Sequence, residues 1–346
     1  MKKILYILSM VSLLAVACTK EVLVSRDYDI DAEVGEITTT MEMNALYCNL
    51  NGATEGTLQA LGEYIAENDA DVVTFVAPAT VGSVEFGTWL ANYATENNLK
   101  PLTATLAGNP LVMAALVNKA VIDEEGEAEM LNVALTEELQ ASLNPILHFE
   151  VNDVNFVVTE MKESKNEIPE NWQELVDGMT NTTIPWVYEP NHHDVRTAEL
   201  ASLLALTVNN RAYMTESNWL WCVNMNAPSK IDITKYGREF RFADCYTGVT
   251  DEFMEYETRY FSVDEFIDEN DPYFNLNAQM SRRLADCAAV YNSVYVPSSV
   301  DGLRNNYLYT STACLNMVDK FEVDQSVASE LGLSNYPIMV TLKSEE

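Results

Sequence analysis

The nine residues Trp219-Leu220-Trp221-Cys222-Val223-Asn224-Met225-Asn226-Ala227 form an apolar run that turns polar only at its end. Such a run reads as a buried strand, with Trp219 and Trp221 in phase on one face and packed against a helical layer. Asp71-Val72-Val73-Thr74-Phe75-Val76 reads as a shorter buried strand. Between such runs the period changes. Leu58, Leu61 and Ile65 recur at helical spacing within residues 57–68, and Phe86, Trp89, Leu90 and Tyr93 share one face of a helix over 85–97. Residues 146–150 and 154–161 predict a hairpin around Asn152-Asp153, and 42–50 a strand running into an Asn-Gly turn at Asn51-Gly52. Further strands are expected at 288–296 and 338–342, and a helix capped by Asp194 ends near Asn209. Hairpins mixed with helices predict a layered α/β sandwich rather than a doubly wound parallel sheet. A hydrophobic content of 48% is ample for its core.

The N-terminus supplies an address. Lys2 and Lys3 precede an apolar run from Ile4 to Val16, followed by Ala15-Val16-Ala17-Cys18. A charged start, a short apolar stretch and small residues make a secretory signal over residues 1–17, too short to span a bilayer. The Cys after the small residues resembles a bacterial lipobox, which makes Cys18 the lipidated new N-terminus and the anchor to a membrane. Thr19 does not resemble an inner-membrane retention signal, so the outer membrane of a Gram-negative bacterium is the expected destination. Residues 18–40 then read as a lipidated tether, polar and acidic, and 41–346 as one domain. The formal net charge of −33 argues against general nucleic-acid binding, which depends on Lys and Arg displacing counterions from phosphates. Beyond Cys18 there are Cys48, Cys222, Cys245, Cys287 and Cys314, without Cys-x-x-Cys spacing. An odd number leaves at least one thiol unpaired, and their apolar surroundings suggest buried small hydrophobes.

The order of the segments resembles the endonuclease/exonuclease/phosphatase superfamily, the deoxyribonuclease-I-like fold, from about Met43 to Leu342. In that family an apolar strand ends in Gly-Asp-Phe-Asn-Ala, and here Val223-Asn224-Met225-Asn226-Ala227 stands in its place. Asn49 occupies the place of the first motif's Asn. The strand 71–76 resembles the segment that leads to a metal-binding Glu, which falls at Ala77. Phe156-Val157-Val158-Thr159 resembles the strand carrying a catalytic His, with Glu160 in that position. Tyr291-Asn292-Ser293-Val294 resembles Ile-Asp-Tyr-Ile, with Asn292 for Asp. Ser334-Asn335-Tyr336-Pro337-Ile338 resembles the closing Ser-Asp-His-Tyr-Pro-Val, one residue short, with neither Asp nor His. The resemblance implies two mixed, largely antiparallel sheets flanked by helices. It also implies that Asn49, Ala77, Glu160, Asn224, Asn226, Asn292, Ser334 and Asn335 are vestiges of a catalytic site. Were the site active, it would need Mg²⁺ or Mn²⁺, and these cations want anionic oxygens that Ala77, Asn224 and Asn292 do not offer. Loss of one acid/base group typically costs ~10²–10⁴-fold, and groups acting as a unit fail together. No cofactor and no catalysis are therefore expected, and ligand or partner binding is.

Other chemistry is sparse. Of three histidines, His148 lies mid-strand and reads as a sheet residue. His192 and His193, with Glu189 and Asp194, make a transition-metal set on paper. Adjacent histidines point apart in extended chain, however, and Asp194 already has a capping role. Trp186 and Tyr188, in a Pro-flanked loop, are candidate aromatics for a glycan or protein partner. The acidic runs 123–129 and 264–271 lack calcium-loop spacing and read as solvated faces.

Overall fold

A computed structural model describes residues 39–122, 129–130, 144–161, 166–167, 170–177, 217–227, 229–238, 246–253, 255, 280 and 284–345. The segment Met41–Ser344 forms one unit. In chain order the first half gives β1 (Thr39–Asn49), α1 (Glu55–Glu67), β2 (Val72–Pro78), β3 (Thr80–Val81), β4 (Val84–Glu85), α2 (Phe86–Glu96), β5 (Leu99–Thr105) and β6 (Leu111–Asn118). Next come β7 (Glu129–Met130), β8 (Ile146–Val151), β9 (Val154–Glu160), β10 (Asn166–Glu167), α3 (Trp172–Asp177), β11 (Asn218–Asn224), α4 (Lys230–Tyr236) and β12 (Tyr246–Thr247). The chain closes with β13 (Ala285–Asp286), α5 (Cys287–Tyr291), β14 (Asn306–Thr310), α6 (Thr312–Leu315), β15 (Val318–Val323), α7 (Ala328–Leu331) and β16 (Ile338–Glu345).

Two six-stranded sheets carry the fold, in the orders β15-β16-β1-β2-β6-β5 and β13-β14-β11-β9-β8-β7. Each is mixed: β1 runs parallel to β2 and β9 parallel to β11, while β2–β6, β5–β6, β8–β9, β11–β14 and β15–β16 are antiparallel. Strand alternation distributes the side chains over three apolar layers. Tyr47, Val72, Val76 and Met113 of the first sheet meet Phe156, Val158, Leu220 and Cys222 of the second, which fills the space between the sheets. The opposite face of the first sheet, through Val73, Phe75 and Ala77, packs on Leu58, Leu61 and Ile65 of α1 and Phe86 and Leu90 of α2. That is the apolar stripe read from the spacing. The outer face of the second sheet carries Trp219, Trp221, Val223, Tyr307 and Tyr309, joined by Met280 and Leu284. Each fully buried large side chain in these layers contributes ~1.5–3 kcal/mol.

The hairpin at Asn152-Asp153 forms, with φ of +47° and +59°, the left-handed pair that favours short polar residues in a two-residue turn. One expected strand does not form. Residues 288–296 begin as α5, whose first turn is capped by the Asp286 side chain accepting from the Ala289 N–H at 3.2 Å. Val290 and Val294 are 41% and 66% exposed, so this stretch lacks the alternating burial a core strand would impose. The thiols of Cys48, Cys222, Cys287 and Cys314 are free and buried. Cys48 faces the helices and Cys222 the space between the sheets, so these two do not bridge.

Candidate functional site

Asn49 is the last residue of β1, Glu160 the last of β9 and Asn224 the last of β11. In the second sheet Asn224 sits beside Glu160 on the parallel side and beside Asn306, the first residue of β14, on the antiparallel side. Alternation then aims all four side chains toward the same space. Asn49 follows Tyr47, Glu160 follows Val158, Asn224 follows Cys222 and Asn306 precedes Leu308, all residues of the core between the sheets. The four polar groups therefore gather at one edge of that core, where the chain leaves both sheets. Asn49, Glu160, Asn224 and Asn306 are 2%, 7%, 3% and 2% exposed. Asn335, in the segment before β16, joins them from the side at 8% exposed.

The hydrogen bonds orient the amides. Asn49 Oδ1 accepts from the Asn51 backbone N–H at 2.9 Å, which leaves Asn49 Nδ2 to donate to Asn306 Oδ1 at 2.9 Å. Tyr47 OH donates to the same oxygen at 3.1 Å, and Asn306 Nδ2 donates onward to Asn335 Oδ1 at 2.7 Å. Asn224 Oδ1 accepts from the Asn226 backbone N–H at 3.0 Å, and its Nδ2 donates to Glu160 Oε2 at 2.8 Å. Asn51 Nδ2 donates to that same Oε2 at 2.6 Å. Asn226, with φ of +47°, donates from Nδ2 to the Met161 carbonyl at 2.5 Å. Asn144 Nδ2 holds the Glu160 carbonyl at 2.8 Å. Because backbone N–H and C=O groups have fixed roles, the chain of donors has one consistent direction.

Glu160 is the only carboxylate in this network among the described residues. Burial pushes its pKa up, and the amides of Asn224, Asn51, Asn226 and Asn49 pull against that rise. The strongest influences on it are thus desolvation and four neutral amides. Nearby, on the outer face of the second sheet, lies a different device. Arg304, 2% exposed, donates to Asp232 Oδ1 at 2.5 Å and to Asp286, and lies over the Tyr307 ring at 5.0 Å from its centroid. Asp232 belongs to the capping box of α4 with Ser229, and Asp286 caps α5. Residues 232, 286 and 304 thus tie two helix starts to the beginning of β14, two positions before Asn306.

Of the sequence-predicted set, Asn49, Glu160, Asn224, Asn226 and Asn335 come together in the structure. Asn292 does not. It is the residue after α5, where its carbonyl accepts from Lys235 Nζ at 3.1 Å and Tyr236 OH at 3.2 Å. The asparagine beside Asn224 is Asn306, and Asn306-Tyr307-Leu308 resembles Asp-Tyr-Ile with Asn for Asp and Leu for Ile. That match was available in the sequence. Ala77 is fully buried among Phe75, Val112 and Leu333 on the helix side, so it faces away from the cluster. Ser334 is exposed and lies against Gly52 (φ +83°), where an added Cβ would stand 2.7 Å from Ser334 Oγ. Cys18, Trp186, Tyr188, Glu189, His192, His193 and Asp194 lie outside the described residues.

The donor set does not fit Mg²⁺ or Mn²⁺. These ions demand near-octahedral oxygen ligation with anionic donors. The side-chain oxygens of Asn49, Asn224, Asn306 and Asn335 each already accept an N–H, and Glu160 Oε2 accepts two. Among the described residues, no group of three or more His, Cys, Asp or Glu side chains is placed to hold a metal.

No protein-family model matches the sequence, and a search of curated proteins finds no match. Solved structures do resemble the fold. An AP endonuclease from Archaeoglobus fulgidus superimposes with a TM-score of 0.53 at 11% identity, over 87% of this chain and 99% of that one. The 3'-5' exonuclease NExo from Neisseria meningitidis gives 0.55 at 13% identity, over 88% and 100% of the two chains. The 3' phosphatase NExo from Neisseria bound to a product DNA hairpin gives 0.55 at 12% identity, over 88% and 99%. Identities this low report shared architecture alone.

Proposed function

We propose that this chain, which has the endonuclease/exonuclease/phosphatase fold, is a non-catalytic cell-envelope lipoprotein that binds a ligand or partner. The observation that carries the reading is the amide network. At the edge where β1, β9, β11 and β14 bring their polar residues together, neutral asparagines bond to one another and to a single carboxylate. Phosphodiester hydrolysis needs charge stabilisation of a developing phosphorane and a group to activate water. The amides of Asn49, Asn224, Asn306 and Asn335, neutral and with their oxygens already engaged, supply neither. The lipobox-like Ala15-Val16-Ala17-Cys18 supports anchoring through Cys18, with the outer membrane as destination. A net charge of −33 supports ligands other than nucleic acid.

The test is hydrolysis of bis(4-nitrophenyl) phosphate by the mature chain with Mg²⁺ or Mn²⁺. No turnover above a chelator control is expected. Turnover that chelator and Asn226→Ala both abolish would mean a divergent phosphodiesterase instead.

A further inference from the structure

The direction of the amide network fixes which atoms are left over. The amides of Asn51 and Asn224 both donate to Glu160 at Oε2, so Oε1 takes neither of them. Asn51 spends Nδ2 on Glu160 and Asn226 spends Nδ2 on the Met161 carbonyl, which leaves Oδ1 of each without a bond in the cluster. Both residues are half-buried, at the rim, whereas Glu160 is 7% exposed at the floor. On the other side, Asn335 accepts at Oδ1 and has Nδ2 to spare. Because the Asn226 and Asn49 amides also act on the Glu160 carboxylate, the surplus among the described residues is two amide oxygens, Oδ1 of Asn51 and of Asn226, beside that carboxylate, and one amide donor. Glu160 has no ion-pair partner among the described residues, and the polar groups acting on it are asparagines.

Resting on the binding reading above, we propose that this cluster is a site for the primary ammonium group of a small polar molecule, an amino alcohol or an amino sugar. An ammonium has three N–H donors and no acceptor, which suits a carboxyl group flanked by two amide oxygens. A charge-assisted N–H bond to a carboxylate is about twice as strong as a neutral one, and a buried charge gains most from a partner. The Asn335 amide then serves an adjoining hydroxyl oxygen. A phosphate or carboxylate ligand would meet Glu160 as a like charge. A divalent metal would meet the Asn51 and Asn224 amide hydrogens that converge on Oε2.

The test is thermal unfolding and calorimetric titration of the mature chain with matched pairs: ethanolamine against ethylene glycol, and glucosamine against glucose. Stabilisation by an amine and not by its neutral counterpart is expected, and which amine acts identifies amino alcohol or amino sugar as the source. Glu160→Gln, which keeps shape and removes charge, is expected to weaken that binding at least tenfold. Asn51→Ser, at the rim, is expected to weaken it several-fold and serves if the first variant does not fold. Equal stabilisation by the neutral counterparts, a response that survives both substitutions, or no response to either amine overturns the ammonium site. Those outcomes leave the non-catalytic reading standing, whereas metal-dependent phosphodiester turnover would remove that reading itself.

Discussion

Arg304→Met should destabilise the protein by about 3–5 kcal/mol, measured by denaturant unfolding at pH 7.5. That is a large part of the ~5–15 kcal/mol that holds a typical domain together. The guanidinium is 2% exposed and is the shared partner of Asp232 and Asp286, themselves 0% and 4% exposed. Removing it leaves two buried carboxylates facing each other. The loss is not the net strength of the ion pairs, because desolvation offsets most of their attraction; it is the cost of uncompensated buried charge. Replacing the whole triad, Arg304→Met with Asp232→Leu and Asp286→Leu, should therefore recover most of the stability. It should stop short of full recovery by ~1 kcal/mol for each helix cap lost, since Asp286 accepts from the Ala289 N–H and Asp232 from the Ser229 N–H. A triple variant as unstable as the single one would locate the loss in Arg304's packing on Tyr307 instead. Because Met225 N–H donates to the Asn305 carbonyl at 2.7 Å, any slackening here reaches the strand ends that hold the asparagines.

The protein should be more stable at pH 5 than at pH 7.5. Burial pushes Asp232 up to about 6, against the pull of Arg304 and with the help of Asp286. Glu160 moves in the same direction for the same first cause. A carboxyl whose folded pKa is raised holds a proton that the unfolded chain, titrating at ~3.9, has already released. Its stabilising contribution is thus complete below the unfolded pKa and is lost as pH rises through the folded one. For Asp232 that window runs from about 4, the unfolded value, up to about 6. Integrated from pH 7.5 down to pH 5, the gain is about 1–2 kcal/mol. Repulsion within a chain of net charge −33 has the same sign, so the comparison belongs at ~0.5 M salt, where exposed charges are screened. Asp232→Asn combined with Glu160→Gln should flatten the profile between pH 5 and 7.5. A slope that survives in the double variant would assign the effect to other groups.

Local patterns were enough for much of the fold. The runs at 71–76 and 219–224 are apolar on both faces because both sheets are covered on both faces, and the helical stripes of α1 and α2 match the cluster they fill. The Asn152-Asp153 turn carried its own chemistry. Residues 288–296 misled because Val290, Val294 and Val296 imitate strand alternation, while the Asp286 cap starts a helix there. The same error moved the fourth asparagine from Asn306 to Asn292. Residues 49, 160 and 224 were legible because each ends an obvious strand. The part played by Asn51 and Tyr47 was not, since it depends on bonds across 109 and 259 residues to Glu160 and Asn306. The Arg304 triad left no local signature at all, because its three members come from separate helix starts and a strand start.

Thermal unfolding of the mature chain with Mg²⁺, Mn²⁺, Ca²⁺ or Zn²⁺, each against a chelator control, tests most directly whether the catalytic site has been emptied. A native-state ligand at 100 times its dissociation constant adds roughly 2.7 kcal/mol, enough for a visible shift. With the oxygens of Asn49, Asn224, Asn306 and Asn335 already engaged and Glu160 the one carboxylate beside them among the described residues, no shift is expected from Mg²⁺ or Mn²⁺. A clear shift with either ion, lost in Glu160→Gln, would contradict the non-catalytic reading and restore the metal-dependent phosphoesterase.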